Sequence, residues 1–200
     1  GEMNTDFDEG TVSFSADGKT MFFTRCYTEK GESRGAQICT TTRSGGKWGK
    51  VTEVELSKDS SVTFAHPTLS PDGKYLYYVS DLAGGYGGKD IWRSERNGTQ
   101  YGAPVNLGPS INTAGDEMFP YMRENGTLYF SSDGHPGFGG LDIFYANEME
   151  DGNWVVSNMM YPMNSNGDDF GISYISGVEK GMFSSNKEKK KGYDKLYDFE

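Results

Sequence analysis

One unit of about 53 residues occurs four times along this chain, and a repeat of that length narrows the fold before any single residue is weighed. Turns followed by aromatic-rich runs mark it. Ser15-Ala16-Asp17-Gly18-Lys19 precedes Met21-Phe22-Phe23, Ser70-Pro71-Asp72-Gly73-Lys74 precedes Leu76-Tyr77-Tyr78, and Arg123-Glu124-Asn125-Gly126-Thr127 precedes Leu128-Tyr129-Phe130. A second mark, Gln37-Ile38, Asp90-Ile91, Asp142-Ile143 and Asp194-Lys195-Leu196, steps by 53, 52 and 52 residues, and Trp48, Tyr101 and Trp154 step by 53. Several short strands per unit at this period are the signature of propeller blades. The expectation is an all-β chain of four consecutive blades, at residues 9–56, 64–108, 117–160 and 169–200, with no helix longer than about two turns.

The second unit shows the anatomy most clearly. Ala65 to Ser70 reads as a first strand, Pro71-Asp72-Gly73 as a turn, and Lys74 to Ser80 as a second strand. After the loop Asp81-Leu82-Ala83-Gly84-Gly85-Tyr86-Gly87-Gly88, Lys89 to Ser94 makes a third strand and Val105-Asn106-Leu107 a short outer one. The blade is therefore four-stranded and antiparallel. Crossings between blades recur too: Asn4-Thr5-Asp6-Phe7-Asp8-Glu9, Asn112-Thr113-Ala114-Gly115-Asp116-Glu117 and Asn164-Ser165-Asn166-Gly167-Asp168-Asp169. Such side chains bond nearby backbone amides and hold an irregular crossing in one shape. Their carboxylates are also oxygen ligands of the kind calcium takes, but no loop has the alternating spacing of a dedicated calcium site.

Strand direction alternates within a blade, so the Gly-rich loops and the acidic crossings emerge on one face. That face is the expected binding surface, carrying Tyr86, His135 and Phe138 beside Asp116, Glu117, Asp168 and Asp169. The fourth unit ends at Glu200 without an outer strand, and three residues precede Asn4. Rings remove their edges by donating a strand across the closure, so the expectation is a share of a larger propeller, of about six blades, whose end blades expose strand edges and favour association.

Composition excludes several classes. With 28 glycines and 14% aromatic residues the chain suits short strands and tight turns, and its aromatics can hold together a core that is only 34% hydrophobic overall. A formal charge of −10 disfavours nucleic acid and anionic lipid as partners. The one basic run, Lys187 with Lys189, Lys190 and Lys191, reads as a solvated loop. No stretch has the roughly 20 apolar residues that a membrane-crossing helix needs. No signal peptide or lipid-attachment cysteine stands near Gly1, so any export signal is expected to have been removed or to lie outside this sequence. Cys26 and Cys39, with twelve residues between them, permit a disulfide across a hairpin without demanding one, and they are too few for structural zinc.

Enzyme signatures fail in turn, which leaves no catalytic, metal or cofactor residue to name. Gly31-Glu32-Ser33-Arg34-Gly35 spells a nucleophile elbow but falls in a hairpin rather than a strand-to-helix turn. Sialidase turns need a residue between aspartate and glycine, and here Gly18 and Gly73 follow aspartate directly. The acids that a glycosidase pair would need recur with the blade period, which points to structure. His66 and His135 occupy different blade positions, and the Gly-rich loops open no helix that could cradle phosphate.

Ser70-Pro71-Asp72-Gly73-Lys74-Tyr75-Leu76-Tyr77-Tyr78, Gly87-Gly88-Lys89-Asp90-Ile91-Trp92, Pro104-Val105-Asn106-Leu107-Gly108 and Phe183-Ser184-Ser185-Asn186 resemble WD40-like repeats of the TolB type. In particular they are similar to the version in OmpA-family envelope proteins of Bacteroidetes, some of which are accessory parts of type IX secretion and gliding. The resemblance covers nearly the whole chain. It implies a periplasmic, outer-membrane-associated, non-catalytic scaffold whose partners are other envelope proteins, with peptidoglycan bound only by a domain outside this sequence. Arg25-Cys26 replaces the usual Ser-Asp or Ser-Asn, and Lys187 to Lys191 replaces a Gly-rich loop. The rival reading is a carbohydrate-binding or carbohydrate-processing propeller.

Overall fold

The computed structural model describes residues 3–29, 32–59, 61–188 and 193–200, which form strands and turns with no helix among them. Lys189, Lys190 and Lys191 of the basic run, and Gly31 of the elbow-like sequence, lie outside the described residues. Blade one contains β1 (Asp8–Phe14), β2 (Thr20–Glu29), β3 (Glu32–Ser44), β4 (Lys47–Trp48) and β5 (Thr52–Glu53). Blade two contains β6 (Phe64–Leu69), β7 (Tyr75–Ser80), β8 (Asp90–Asn97), β9 (Gln100–Tyr101) and β10 (Val105–Asn106). Blade three has β11 (Glu117–Met122), β12 (Leu128–Ser132), β13 (Asp142–Glu148) and β14 (Trp154–Asn158). Blade four has β15 (Asp169–Tyr174), β16 (Gly181–Ser185) and β17 (Lys195–Phe199). Each sheet is antiparallel and follows chain order outward, and the innermost strands β1, β6, β11 and β15 pack side by side in that sequence.

The turns between first and second strands show why their residue types recur. Gly18 and Gly73 take φ of 65° and 70°, a region closed to most side chains, and their amides donate to the carbonyls of Ser15 and Ser70 at 2.8 and 2.9 Å. Asp17 and Asp72 accept from the Ser15 and Ser70 hydroxyls and from the Lys19 and Lys74 amides, which holds both carboxyls below the usual range. In blade two the outer ladder differs from a single short strand. It is broken into β9 and β10, as the outer ladder of blade one is broken into β4 and β5, whereas β14 of blade three runs unbroken over five residues.

Sheets pack face to face, so the core lies between blades. Phe22 and Ile38 meet Phe64, Leu76, Tyr78 and Trp92. Tyr77 and Ile91 meet Leu128, Phe130, Phe144 and Trp154, while Tyr129 and Ile143 meet Ile172 and Phe183. Each fully buried side chain of this kind contributes about 1.5–3 kcal/mol, which is how a chain of low hydrophobic content sustains the fold.

A disulfide between Cys26 and Cys39 does not form; both thiols are free. Register is the reason. Cys39 stands opposite Phe23 and Cys26 opposite Ala36, so the two are three residues out of step and point to opposite faces of the sheet. Burial pushes the Cys39 thiol up to about 11. The elbow-like sequence is equally accounted for, since Arg34 and Gly35 belong to β3.

One feature of the inner strands was not expected. Each of the four has a register slip at the same place, between Gly10 and Val12, Ala65 and Thr68, Met118 and Tyr121, and Phe170 and Ser173. Thr11, His66, Phe119 and Gly171 sit in these bulges at φ of 44°, 51°, 54° and 66°. Three of the four are not glycine, and left-handed backbone costs such residues about 1–2 kcal/mol.

Candidate interaction face and axial cavity

The Gly-rich loops between second and third strands fold back onto a buried acid. Asp90 accepts from the amides of Tyr86 and Gly87 at 2.6 and 3.1 Å, and Asp142 accepts from those of Phe138 and Gly139 at 2.8 and 3.1 Å. Both carboxylates are buried. The loops lie so close to the crossings that a Cβ on Gly87 would run into the Gly115 carbonyl, and one on Gly139 into that of Gly167. The amides of Gly88 and Gly140 donate to these same carbonyls at 3.1 Å each. Loops and crossings therefore share one face. With their backbones fixed, the rings of Tyr86 and Phe138 stand 51% and 49% exposed at equivalent points of neighbouring blades.

The Asn112 and Asn164 crossings each clamp the blade before them. Asn112 accepts from the Ile91 amide at 2.8 Å and donates to the Ile91 carbonyl and to Asn106 Oδ1 at 2.9 and 2.8 Å. Asn164 repeats the arrangement on Ile143 and Asn158, at 2.8 Å for all three bonds. The acids beside them turn inward. Glu117 is fully buried, taking the amide and hydroxyl of Thr113 at 2.8 and 2.7 Å and the Ser132 hydroxyl at 2.7 Å. Asp169 is fully buried as well, with its Oδ2 accepting from the amide and hydroxyl of Ser165. Neither can touch a partner, which corrects their assignment to the binding surface. Asp116 and Asp168 remain partly exposed, but Asp116 accepts from the Lys89 amide and ammonium, and Asp168 from the Leu141 amide and Asn186. His135 is half-buried against Phe130 and Phe144, its Nε2 2.9 Å from the Ile111 carbonyl. Of the seven residues expected on this face, Tyr86 and Phe138 are the two whose side chains are free for contact.

Asp169 is one methylene shorter than Glu117, and its Oδ1 is buried without a partner where Glu117 reaches Ser132. Ser185 stands at the position of Ser132, since it pairs with Asp169 as Ser132 pairs with Glu117. Asp169→Glu is expected to raise stability by about 1 kcal/mol by supplying that bond, read as a shift in the denaturation midpoint at constant m. A loss of stability would show that the space beside Ser185 cannot take the longer chain.

The inner strands also line an open cavity of about 720 Å3, running from the bulges to the first turns and bordered by residues of all four blades. Contacts beside it link neighbouring blades. Within blade one the Thr11 and Thr24 hydroxyls lie 2.8 Å apart, and the His66 amide of blade two donates to Thr24 Oγ1 at 2.9 Å. His66 Nδ1 accepts from the Phe119 amide at 3.2 Å, and its ring stacks on Phe119 with centroids 4.2 Å apart. Phe119 in turn stacks on Phe170 at 5.0 Å. Burial and nearby Lys89 hold the His66 imidazole down to about 4. Because Nδ1 accepts, the proton of the neutral ring sits on Nε2. Glu124 is the one carboxylate among the described residues lining this cavity, so no acid pair spans it. Among the described residues no group of three or more His, Cys, Asp or Glu side chains could hold a metal ion.

The cavity had a signal in the sequence. His66-Pro67 and Phe119-Pro120 are 53 residues apart inside strands, and proline within a strand marks an edge or a bulge. Asp90 and Asp142 were visible as marks of the repeat, but their work as loop anchors was not.

No protein-family model matches the chain, and no curated protein matches its sequence. Solved structures do. TolB from Acinetobacter baumannii is similar over 95% of this chain and 43% of its own, at 14% identity and a TM-score of 0.50. A putative TolB from Agrobacterium tumefaciens is similar over 79% of this chain and 51% of its own, at 21% identity and a TM-score of 0.52. A puromycin-hydrolyzing peptidase from Mycobacterium tuberculosis is similar over 97% of this chain and 30% of its own, at 14% identity and a TM-score of 0.55. The chain thus spans about half the length of these proteins or less. At such identities the likeness is one of fold: this is an all-β, four-bladed propeller arrangement of the kind found in TolB and in prolyl-peptidase-type enzymes.

Proposed function

We propose that this chain is a non-catalytic interaction module of the bacterial envelope, which binds another envelope protein through the face bearing Tyr86 and Phe138. The observation that carries this reading is the pair of half-exposed rings on loops whose backbones are already anchored by Asp90 and Asp142. Rigid aromatic side chains held out from a fixed backbone lose little entropy on binding, and they dominate interface energetics. The repeat's resemblance to OmpA-family envelope proteins supports a periplasmic, outer-membrane-associated setting with a link to type IX secretion. In that setting peptidoglycan is held by a separate domain. The fold likeness to TolB fits a protein-binding role, while the likeness to the puromycin-hydrolyzing peptidase covers 30% of that chain.

The test is to purify the full-length protein from its native envelope, identify what accompanies it, and measure that partner against Tyr86→Ala and Phe138→Ala. Affinity is expected to fall about tenfold or more for the double variant, with the melting midpoint little changed. Lowered stability with unchanged affinity would mean that the rings only cover the blade ends.

A further inference from the structure

Asparagine followed by glycine readily loses its side-chain amide, because glycine leaves the next backbone nitrogen unshielded for attack on the asparagine Cγ. The chain has three such pairs: Asn97-Gly98, Asn125-Gly126 and Asn166-Gly167. All three asparagines are exposed. What separates them is the glycine N–H, which must leave any acceptor it holds before its nitrogen can reach Cγ.

In two of the pairs that nitrogen is engaged. The Gly126 amide donates to the Arg123 carbonyl at 2.9 Å, while Asn125 Oδ1 accepts from the Thr127 amide at 3.1 Å. The Gly167 amide donates to Ser165 Oγ at 3.1 Å, and Gly167 is buried so tightly that a Cβ on it would run into Asn186 Oδ1. Blade two differs. Gly98 and Thr99 make the tight turn between β8 and β9, with Asn97 opposite Gln100, and the Gly98 amide has no acceptor among the described residues. Asn97 and Gly98 both stand in solvent.

We propose that Asn97 is a site of spontaneous deamidation, converting to aspartate and isoaspartate ahead of Asn125 and Asn166. The Gly98 nitrogen bonds to Asn97 Cγ as the Cγ–Nδ2 bond breaks, and ammonia leaves with the proton that the Gly98 amide gives up. Water then opens the cyclic imide. Attack at Cγ yields ordinary aspartate, whereas attack at the main-chain carbonyl routes the backbone through the side chain and lengthens it by one methylene.

That methylene enters beside the seam between blades one and two. Arg96 pairs with Tyr101; the Arg96 guanidinium lies over the Phe22 ring at 5.8 Å, and Tyr101 packs on the cluster that joins the two blades. Isoaspartate at position 97 therefore slackens the seam, and either product adds a negative charge. The site is separate from the loop face and stands or falls without it.

Peptide mapping by mass spectrometry of the folded chain, aged in mildly alkaline buffer, is the test, with an isoaspartyl methyltransferase reporting the isoaspartate. Asn97 is expected to convert at least about fivefold faster than Asn125 or Asn166, the factor that a hydrogen bond of ordinary net strength withholds from their glycine nitrogens. In urea, where no fold protects them, the three rates should converge. Aged protein should melt at a lower temperature than fresh protein. Asn97→Gln, whose longer side chain closes a ring far more slowly, should remove both the product and most of that loss. Equal rates at the three sites of the folded chain would overturn the proposal, as would a ranking that urea leaves unchanged. So would an aged Asn97→Gln that loses as much stability as its parent.

Discussion

Asn164→Ala is expected to cost about 3–4 kcal/mol, a large share of the stability of a domain this size. The amide is fully buried and makes three bonds, two of them to the backbone of Ile143 in the middle of blade three. Truncation leaves the Ile143 N–H without an acceptor in a dry site, which alone costs about 1–3 kcal/mol, and it adds a small cavity. The carbonyl suffers less because Met159 also donates to it at 3.1 Å. Asn164→Asp separates the contributions: it keeps an acceptor for Ile143 but cannot donate to the carbonyl, and it buries a charge. Equilibrium urea denaturation reads both variants, and Asn112→Ala should behave alike in blade two. A cost under about 1 kcal/mol would mean that the crossings are not what locks one blade to the next.

Between pH 6.5 and 4 the protein is expected to lose about 3 kcal/mol through His66 alone. An unfolded histidine titrates near 6.5, whereas the folded ring is held down to about 4 by burial first and by Lys89 second. The fold keeps the neutral form, so its contribution is complete above the unfolded value and is lost as pH falls toward the folded one. Protonation would also destroy the acceptor that Nδ1 offers to the Phe119 amide. His66→Phe preserves a ring for stacking and removes the titration; stability measured against pH should then fall less steeply in this window, though it starts lower at neutral pH by the missing bond. The lowered carboxyls of Asp17, Asp72 and Glu9 also lose their stabilisation toward the acid end of this window, so the histidine's share is read as the difference in slope between the parent and His66→Phe. An unchanged slope in His66→Phe would assign the pH dependence to another group.

The blade count, the antiparallel order and the shared face of loops and crossings were legible because the devices that set them are local. A Ser-x-Asp-Gly-Lys turn states its own geometry, and a period of 52 or 53 residues states the rest. What escaped depends on distance and depth. Composition marks Glu117 and Asp169 as acids on a loop, but only the packing of Thr113, Ser165 and Ser132 around them shows that they face inward. Cys26 and Cys39 look like hairpin neighbours until the register puts Phe23 opposite Cys39. His135 reads as exposed on a Gly-rich loop, yet Phe130 and Phe144 of its own blade draw it in.

The left-handed bulge shared by all four inner strands separates shape from chemistry at the propeller axis. Pairing register holds the backbone there, and it has accepted threonine, histidine, phenylalanine and glycine at positions 11, 66, 119 and 171 with φ varying over only about 20°. The axial wall is thus a set of four interchangeable sites on an invariant frame. Divergence in such a repeat can rewrite the chemistry of the cavity wall one blade at a time, without renegotiating how the blades are built.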